Sequence, residues 1–468
     1  MVASSPALPR LSVSAETARN LSTATVTPIQ NAESTPRWLH KLLPWVEVAG
    51  GVYRVNRRLA FPINVRHVEL SGEGEKVSVR PDSLKGLAAF SALDDALLAQ
   101  VADGFESRKL KSGEALSGKD GDGLIVVASG TVALTADGPH GTRLRKGLIG
   151  QGGFFGEDVL SGKASGRPTI SPLTDVTLLI LSSAAIDGIA GLRDSIANSI
   201  AAHTSRLEGV NDYGETRVAL LAGHSGEPQL PTTFVDFAEN SREYHLSTIQ
   251  TVLQTHTRIT DLYSNELDQL REQVRVTIEV VKEREEWELL NNPDFGLLHE
   301  VVPSQRVPTR SGPPTPDDLD ELLTKVWKKP AFFIAHPLAI AAFGREATRR
   351  GVPPVVVHLF GSPFITWRGV PLVPSNKIPI TGGADGTPAT TSILLLRVGQ
   401  DEQGVVGLQK AGVTGEVEPG LSVRYMGTNE HSISSHLVTR YFSTAVLIDD
   451  AIARLDNVLI ERYHDYSA

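Results

Sequence analysis

The chain contains no cysteine. Disulfide frameworks, thiolate metal sites and cysteine nucleophiles are therefore excluded. No apolar run approaches the roughly 20 residues that a membrane-crossing helix needs, and the N-terminus lacks the apolar stretch of a signal peptide. Positive charge is also short: 45 Lys and Arg face 54 Asp and Glu, a net charge of -9, which disfavours broad binding to a phosphate backbone. No nucleophile elbow, Walker loop, His-Glu-x-x-His or carboxylate constellation appears, so no enzyme is expected. His336 and His358 stand in apolar sequence surroundings and read as satisfied core histidines. The expectation is a cytoplasmic, soluble protein that binds neither nucleic acid nor membrane. At 468 residues it should divide into about two to four domains.

Glycine and proline are both missing from Thr232 to Asn292. Leu246, Ile249, Leu253, Ile259, Leu262, Leu267, Leu270, Val274, Ile278 and Val281 recur there at three- to five-residue spacing, mostly one face of a helix. Continuous from about Ser241 to Leu290, that helix would be roughly 75 Å long. A coiled coil is the rival reading, and the 274–281 stretch alternates like a strand. Residues 1–36, rich in Ser, Thr, Ala and Pro, cannot bury enough surface to order themselves. They are either a frayed tail or an arm that orders on a neighbouring subunit, anchored by Trp38, Leu39, Leu42, Leu43 and Trp45.

Between about Leu84 and Glu208 the texture changes to short β-type runs broken by glycines, behind an amphipathic stretch of Phe90, Leu93, Leu97, Leu98 and Val101. The pattern predicts a small roll or barrel. Leu124–Val127 and Thr131–Leu134, joined at Ser129-Gly130, read as one hairpin; Thr174–Leu181 is the closing strand and Ala184–Leu207 a final helix. Within it, Gly150 to Thr169 is a glycine-rich loop in which Glu157 precedes Arg167 by ten positions. Such a pair suits a sugar phosphate, the carboxylate accepting from a ribose hydroxyl and the guanidinium pairing with the phosphate. Gly152, Gly153 and Gly156 would let the backbone approach closely.

This stretch, with its Phe-Gly-Glu and later arginine, resembles the cyclic-nucleotide-binding domain family. The resemblance implies a pocket for cyclic AMP or cyclic GMP built from Gly152, Gly153, Gly156, Glu157, Arg167 and Thr169. The sequence departs from the family at Pro168, which has no N–H to offer the phosphate. The Thr169 hydroxyl would compensate in part. A ligand-binding pocket and a degenerate domain kept for structure or docking both stay open. No helix-turn-helix follows, so DNA regulation is disfavoured.

After a Pro/Ser/Thr-rich connector at Val302–Pro316, mixed α/β segments run to the C-terminus, among them Phe332-Phe333-Ile334-Ala335-His336-Pro337 and the run from Trp367 to Pro379. Pro371 and Pro374 stiffen this run as a loop, and Arg368 and Lys377 are its candidate interface cations. Together with the arm and the long helix, these resemble the family 2 encapsulin shell proteins. The implied fold class is α+β, a tailed-phage major capsid-like shell fold with an inserted cyclic-nucleotide-binding-like β-roll. It implies an arm at 1–45, an extended-loop region at 46–83 and 209–240, the insert at 84–208, a spine helix and peripheral region at 241–315 and an axial domain with the C-terminal remainder at 316–468. It further implies an icosahedral homo-oligomer of about sixty subunits around a cargo enzyme, by resemblance a terpene cyclase or another terpenoid-forming enzyme. The alternative is a cyclic-nucleotide-responsive regulator that dimerises through a long coiled coil.

Overall fold

The computed structural model describes residues 14–23, 27–58, 67–72, 77–116, 123–137, 143–160, 169–211, 213–223, 230–235, 237–238, 241–256, 268–383 and 388–461. They form two compact units: one comprises Met1–Arg54, Glu243–Glu300 and Val398–Leu447, the other Val55–Arg242, Val301–Arg397 and Ile448–Ala468.

The first unit is organised by the 14-residue strand Ile433–Val446. It pairs antiparallel with Ser247–His256, with Leu421–Thr428 and with Val405–Gln409, and Trp45–Glu47 runs parallel to the last of these. Ser247–His256 falls inside the stretch expected to be one long helix. Its β-branched Thr248, Ile249, Thr251, Val252 and Thr255 favour a pleated surface, and its whole length pairs in register, Ser247 opposite Phe442 through His256 opposite Ile433. The absence of glycine and proline permits a strand as readily as a helix. The helix is therefore Gln269–Asn291, 23 residues and about 35 Å long; 257–267 lie outside the described residues. Its capping Asp268 side chain accepts from Arg271 N–H, and the 274–281 stretch is helical.

Val281 of this helix shares a core cluster with Leu421 and Val438. The same buried side carries Glu285 and Glu286, 0% and 1% exposed. Burial of ionised carboxylates demands compensation. Glu285 receives two hydrogen bonds from Arg440, at 2.7 and 2.9 Å. Glu286 accepts the backbone N–H groups of Leu39 and His40, at 3.1 and 2.8 Å. Those amides open the short Trp38–Leu42 helix, whose N-cap, Arg37, supplies no side-chain bond. A carboxylate from a distant helix thus satisfies its orphan donors. Glu283 likewise takes the Thr35 N–H at 2.7 Å, and Arg37 pairs with Glu279 and Glu283 at 2.6 and 3.0 Å. The arm between 29 and 43 is therefore ordered on its own chain, with Trp38, Leu39 and Leu43 buried.

In the second unit a seven-stranded sheet runs in the order Arg306–Pro308, Ile452–Leu459, Thr390–Leu396, Phe332–Ala335, Val370–Pro374, Ser362–Trp367, Val355–Leu359. Phe332–Ala335 is buried throughout, as expected of a strand flanked on both faces. The helices Pro316–Lys325 and Pro337–Arg349 share its core through Leu319, Leu322, Ala339 and Phe343. Both begin on proline, the first behind a Thr315/Asp318 capping box. Neither histidine singled out above is a core residue. His336 is half-exposed and caps the second helix, its Nδ1 accepting from Leu338 N–H at 3.2 Å. His358 is exposed on the edge strand Val355–Leu359.

The same unit holds the predicted roll, made of two small sheets. One is Glu106–Leu110, Val176–Ser182, Gly123–Ser129 and Phe154–Phe155; the other is Thr169–Pro172, Val132–Asp137 and Arg143–Ile149. The expected hairpin through Ser129-Gly130 does not exist: its two arms belong to different sheets. Leu124, Val126 and Ala128 face one core cluster while Ile125 and Val127 face another. A strand buried on both sides belongs inside its sheet, between Val176–Ser182 and Phe154–Phe155. The closing strand is as expected. The final helix is two, Ser183–Asp187 and Leu192–Glu208, separated around Gly191 at φ 73. The roll's core reaches back to Val68 and Val79, ahead of the boundary expected at 84.

Two of the titrations at the arm latch oppose each other. Burial pushes Glu286 up to about 7 from 4.5, against the pull of the His40 and Leu39 amides. Burial, then Arg440, pushes His40 down to about 3 from 6.5. Between 4.5 and 7 the folded state holds the extra proton on Glu286, so its contribution is full at low pH and lost as pH rises. Between 3 and 6.5 the unfolded state holds the extra proton on His40, so its contribution is lost as pH falls. In the overlap the two offset each other. Glu286→Gln should leave the His40 slope exposed: its unfolding free energy should gain about 2 kcal/mol more than wild type between pH 4.5 and 6.5. Parallel curves from urea unfolding at stepped pH would refute this.

Candidate functional site

The roll's loop is built by the strand Phe154–Phe155 followed by Gly156 and the four-residue helix Glu157–Leu160. Gly156 holds φ at 94, and a Cβ there would lie 2.2 Å from the Gly123 carbonyl oxygen. Only glycine fits that turn. Glu157 follows, half-buried and with an interaction of its own. Arg167 and Pro168 lie outside the described residues. Thr169 begins the strand Thr169–Pro172, opposite Thr135, whose hydroxyl donates to the Thr169 carbonyl at 3.2 Å.

Gly152 and Gly153 sit elsewhere. Gly152 N–H donates to Val127 O at 2.8 Å and Gly153 N–H to Gly150 O at 3.0 Å, so neither amide is available to a phosphate. The Gly152 carbonyl accepts from Val68 N–H at 2.7 Å. With φ at 76, Gly152 lies so near His67 that a Cβ would be 2.1 Å from its ring. Both glycines line a cavity of about 690 Å³ together with His67, Arg306, Arg454 and Asp456. Gly156, Glu157 and Thr169 do not line it. Of the six residues singled out, the structure keeps Gly156 and Glu157 adjacent and puts Gly152 and Gly153 in a different wall. The residues set against cyclic AMP or cyclic GMP thus reduce, among those described, to the Gly156-Glu157 turn, with Thr169 on a strand of the other small sheet.

The Trp367 to Pro379 run begins not as a loop but as a hairpin between Ser362–Trp367 and Val370–Pro374. Arg368 and Gly369, at φ 50 and 84, make the tight turn that suits twisted strands. Arg368 is committed within the chain: Nε and Nη2 donate to the two oxygens of Asp320 at 3.1 and 3.0 Å, and Trp367 Nε1 donates to the same carboxylate at 2.7 Å. The Arg368 hydrogen bond holds Asp320 below the usual carboxylate range. Lys377 is not without a partner in the chain either.

With this architecture in place, comparison with known proteins defines the class as an encapsulin shell protein. A model of the SrpI-like family, described as Type 2A encapsulin shell protein SrpI-like, matches residues 203–462. The chain belongs to that family. It is 58% identical over 261 residues to the type 2A encapsulin shell protein SrpI of Synechococcus elongatus, covering 56% of this chain and 83% of that protein. The type 2A encapsulin shell protein of Mycobacterium leprae is 54% identical over the same shares. Among solved structures, the holo-SrpI encapsulin complex from Synechococcus elongatus aligns over 98% of this chain and all of that one, with a TM-score of 0.55 and 36% identity. The family match begins at residue 203, so nearly all of the roll precedes it.

Gly156→Ala should cost the roll about 2 kcal/mol or more through its positive φ and the clash with Gly123. Exchange of the Gly123–Ser129 amides should then accelerate about thirtyfold or more. Unchanged exchange would show that the turn relaxes freely.

Proposed function

We propose that the chain assembles in about sixty copies into a closed icosahedral shell in the cytoplasm, enclosing a cargo enzyme. The observation that carries this is the 58% identity to a shell protein across the family-matched stretch. Closed shells need each subunit to bury large permanent interfaces, commonly more than about 2,000 Å² each. The residues at 230–235 and 237 suit such an interface, since Leu230, Phe234, Val235 and Phe237 are 59–88% exposed in the isolated chain. In this reading 46–83 and 209–240 form the extended-loop region and 316–468 includes the axial domain. The spine is the Gln269–Asn291 helix. The coiled-coil regulator loses support, because ten residues of the long helix it needs are strand and the Gln269–Asn291 helix spends its apolar side on its own sheet.

For the cargo, the roll-bearing type of shell resembled by this sequence points to a terpenoid-forming enzyme. For the roll, the Gly156-Glu157 turn supports a cyclic-nucleotide pocket completed by Arg167. In that pocket Glu157 would orient the ligand through its ribose hydroxyl.

The purified protein should elute at megadalton size and show hollow particles by negative stain; a discrete dimer would overturn the shell reading. Removal of 68–208, the roll with the core residues that reach back to Val68, should leave particles when the ends are joined by a short Gly/Ser linker. Mass spectrometry of particles purified from the native host should identify a terpenoid-forming enzyme, and any other enclosed enzyme would refute that assignment. Calorimetry with cyclic AMP and cyclic GMP should show binding that Glu157→Gln weakens about ten- to a hundredfold. No heat with either at millimolar concentration would retire the pocket.

A further inference from the structure

The cavity of about 690 Å³ described above falls in the size range of small-molecule sites, and its two arginines are unequally partnered. Glu69 and Asp456 are its acids. Glu69 pairs with Arg80 at 2.7 Å, and Asp456 with Arg454 at 2.6 Å. Arg306 is left with one described hydrogen bond, Nε to the Val301 carbonyl at 3.0 Å. Burial and then the neighbouring Arg454 guanidinium hold Arg306 below the usual arginine range, with Asp456 counteracting. His67 is held below the usual histidine range by burial and then by Arg306, which favours the neutral ring. A partly desolvated guanidinium beside a second arginine, in a cavity with room to spare, is built to take an oxyanion from outside the chain.

The rest of the wall suits hydroxyl groups. Ser392 and Asn457 offer neutral hydrogen-bonding side chains beside Asp456, and the Ser392 hydroxyl lies a long 3.5 Å from Asp456 Oδ1. A carboxylate with lone pairs to spare accepts from a ligand hydroxyl and repels a second anionic group.

We propose that this cavity binds a small phosphate ester of a polyol, its phosphate on Arg306 and its hydroxyl-bearing body against Ser392, Asp456 and Asn457. The site is separate from the Gly156-Glu157 turn, whose residues do not line it. His67 and Gly152 close one side of it, where any side chain at 152 would collide with the ring.

Calorimetry on the assembled full-length protein with glucose 6-phosphate, inorganic phosphate and glucose as probes tests this. The ester should bind more tightly than phosphate, and glucose should not bind. Arg306→Gln should weaken the ester by about ten- to a hundredfold, the loss expected for one charge-assisted pair. Ser304→Phe, which fills the cavity from a wall residue and leaves the guanidinium in place, should weaken it as much. Glu157→Gln should change nothing. Particles of each variant on a grid verify folding, so that Ser304→Phe carries the test if Arg306→Gln fails to assemble. No heat with either phosphate at about 10 mM, equal affinity in the Ser304→Phe or a folded Arg306→Gln protein, or loss in Glu157→Gln would each overturn the inference.

Discussion

Two adjacent carboxylates that cannot reach water, Glu285 and Glu286, fix the organisation of the first unit. A buried anion without partners is among the costliest features a fold can carry. The helix that bears them is stable only with the partners in place. Arg440 comes from the central strand Ile433–Val446, and the Leu39 and His40 amides come from the N-terminal arm. Sheet, helix and arm are therefore mutually dependent. The Arg440 guanidinium also lies 5.1 Å from the Trp45 ring centroid, a cation–π contact that ties the arm's last anchor to the same cluster.

The second unit is organised by surfaces that serve twice. Gly123–Ser129 separates two hydrophobic clusters, and Phe332–Ala335 is buried along its whole length. The roll and the seven-stranded sheet have separate cores, in keeping with a family match that takes in the sheet and begins at residue 203. A shell fold can host such a roll because the roll brings its own apolar interior.

Much of this was legible in the sequence. The roll was readable because Gly130 and Gly156 punctuate it and because Phe154-Phe155-Gly156-Glu157 is a local motif. The shell class was readable from the order of arm, helix and Trp367-Arg368-Gly369. What escaped were features fixed by partners far along the chain. Ser247–His256 is a strand because Ile433–Val446 waits for it, and no local periodicity reports that. The hairpin at Ser129-Gly130 failed because an apolar run buried on both faces carries no alternation to say which neighbour it takes. Of the site, Gly156 and Glu157 were visible as a motif. His67, Arg306 and Arg454 were not, since only the folded second unit brings 67, 306 and 454 to one wall, and 306 lay in what read as a connector.

The arm's capture by Glu283 also sets an order of events in synthesis. Thr35 and Glu283 are 248 residues apart, so at ribosomal speeds the arm emerges roughly 12 to 50 s before its partner does. The roll, encoded in between, can close within that interval from its own contacts. The amides of Thr35, Leu39 and His40 therefore remain hydrated through most of translation, and the N-terminal segment, though made early, is among the last parts of the subunit to find its seat.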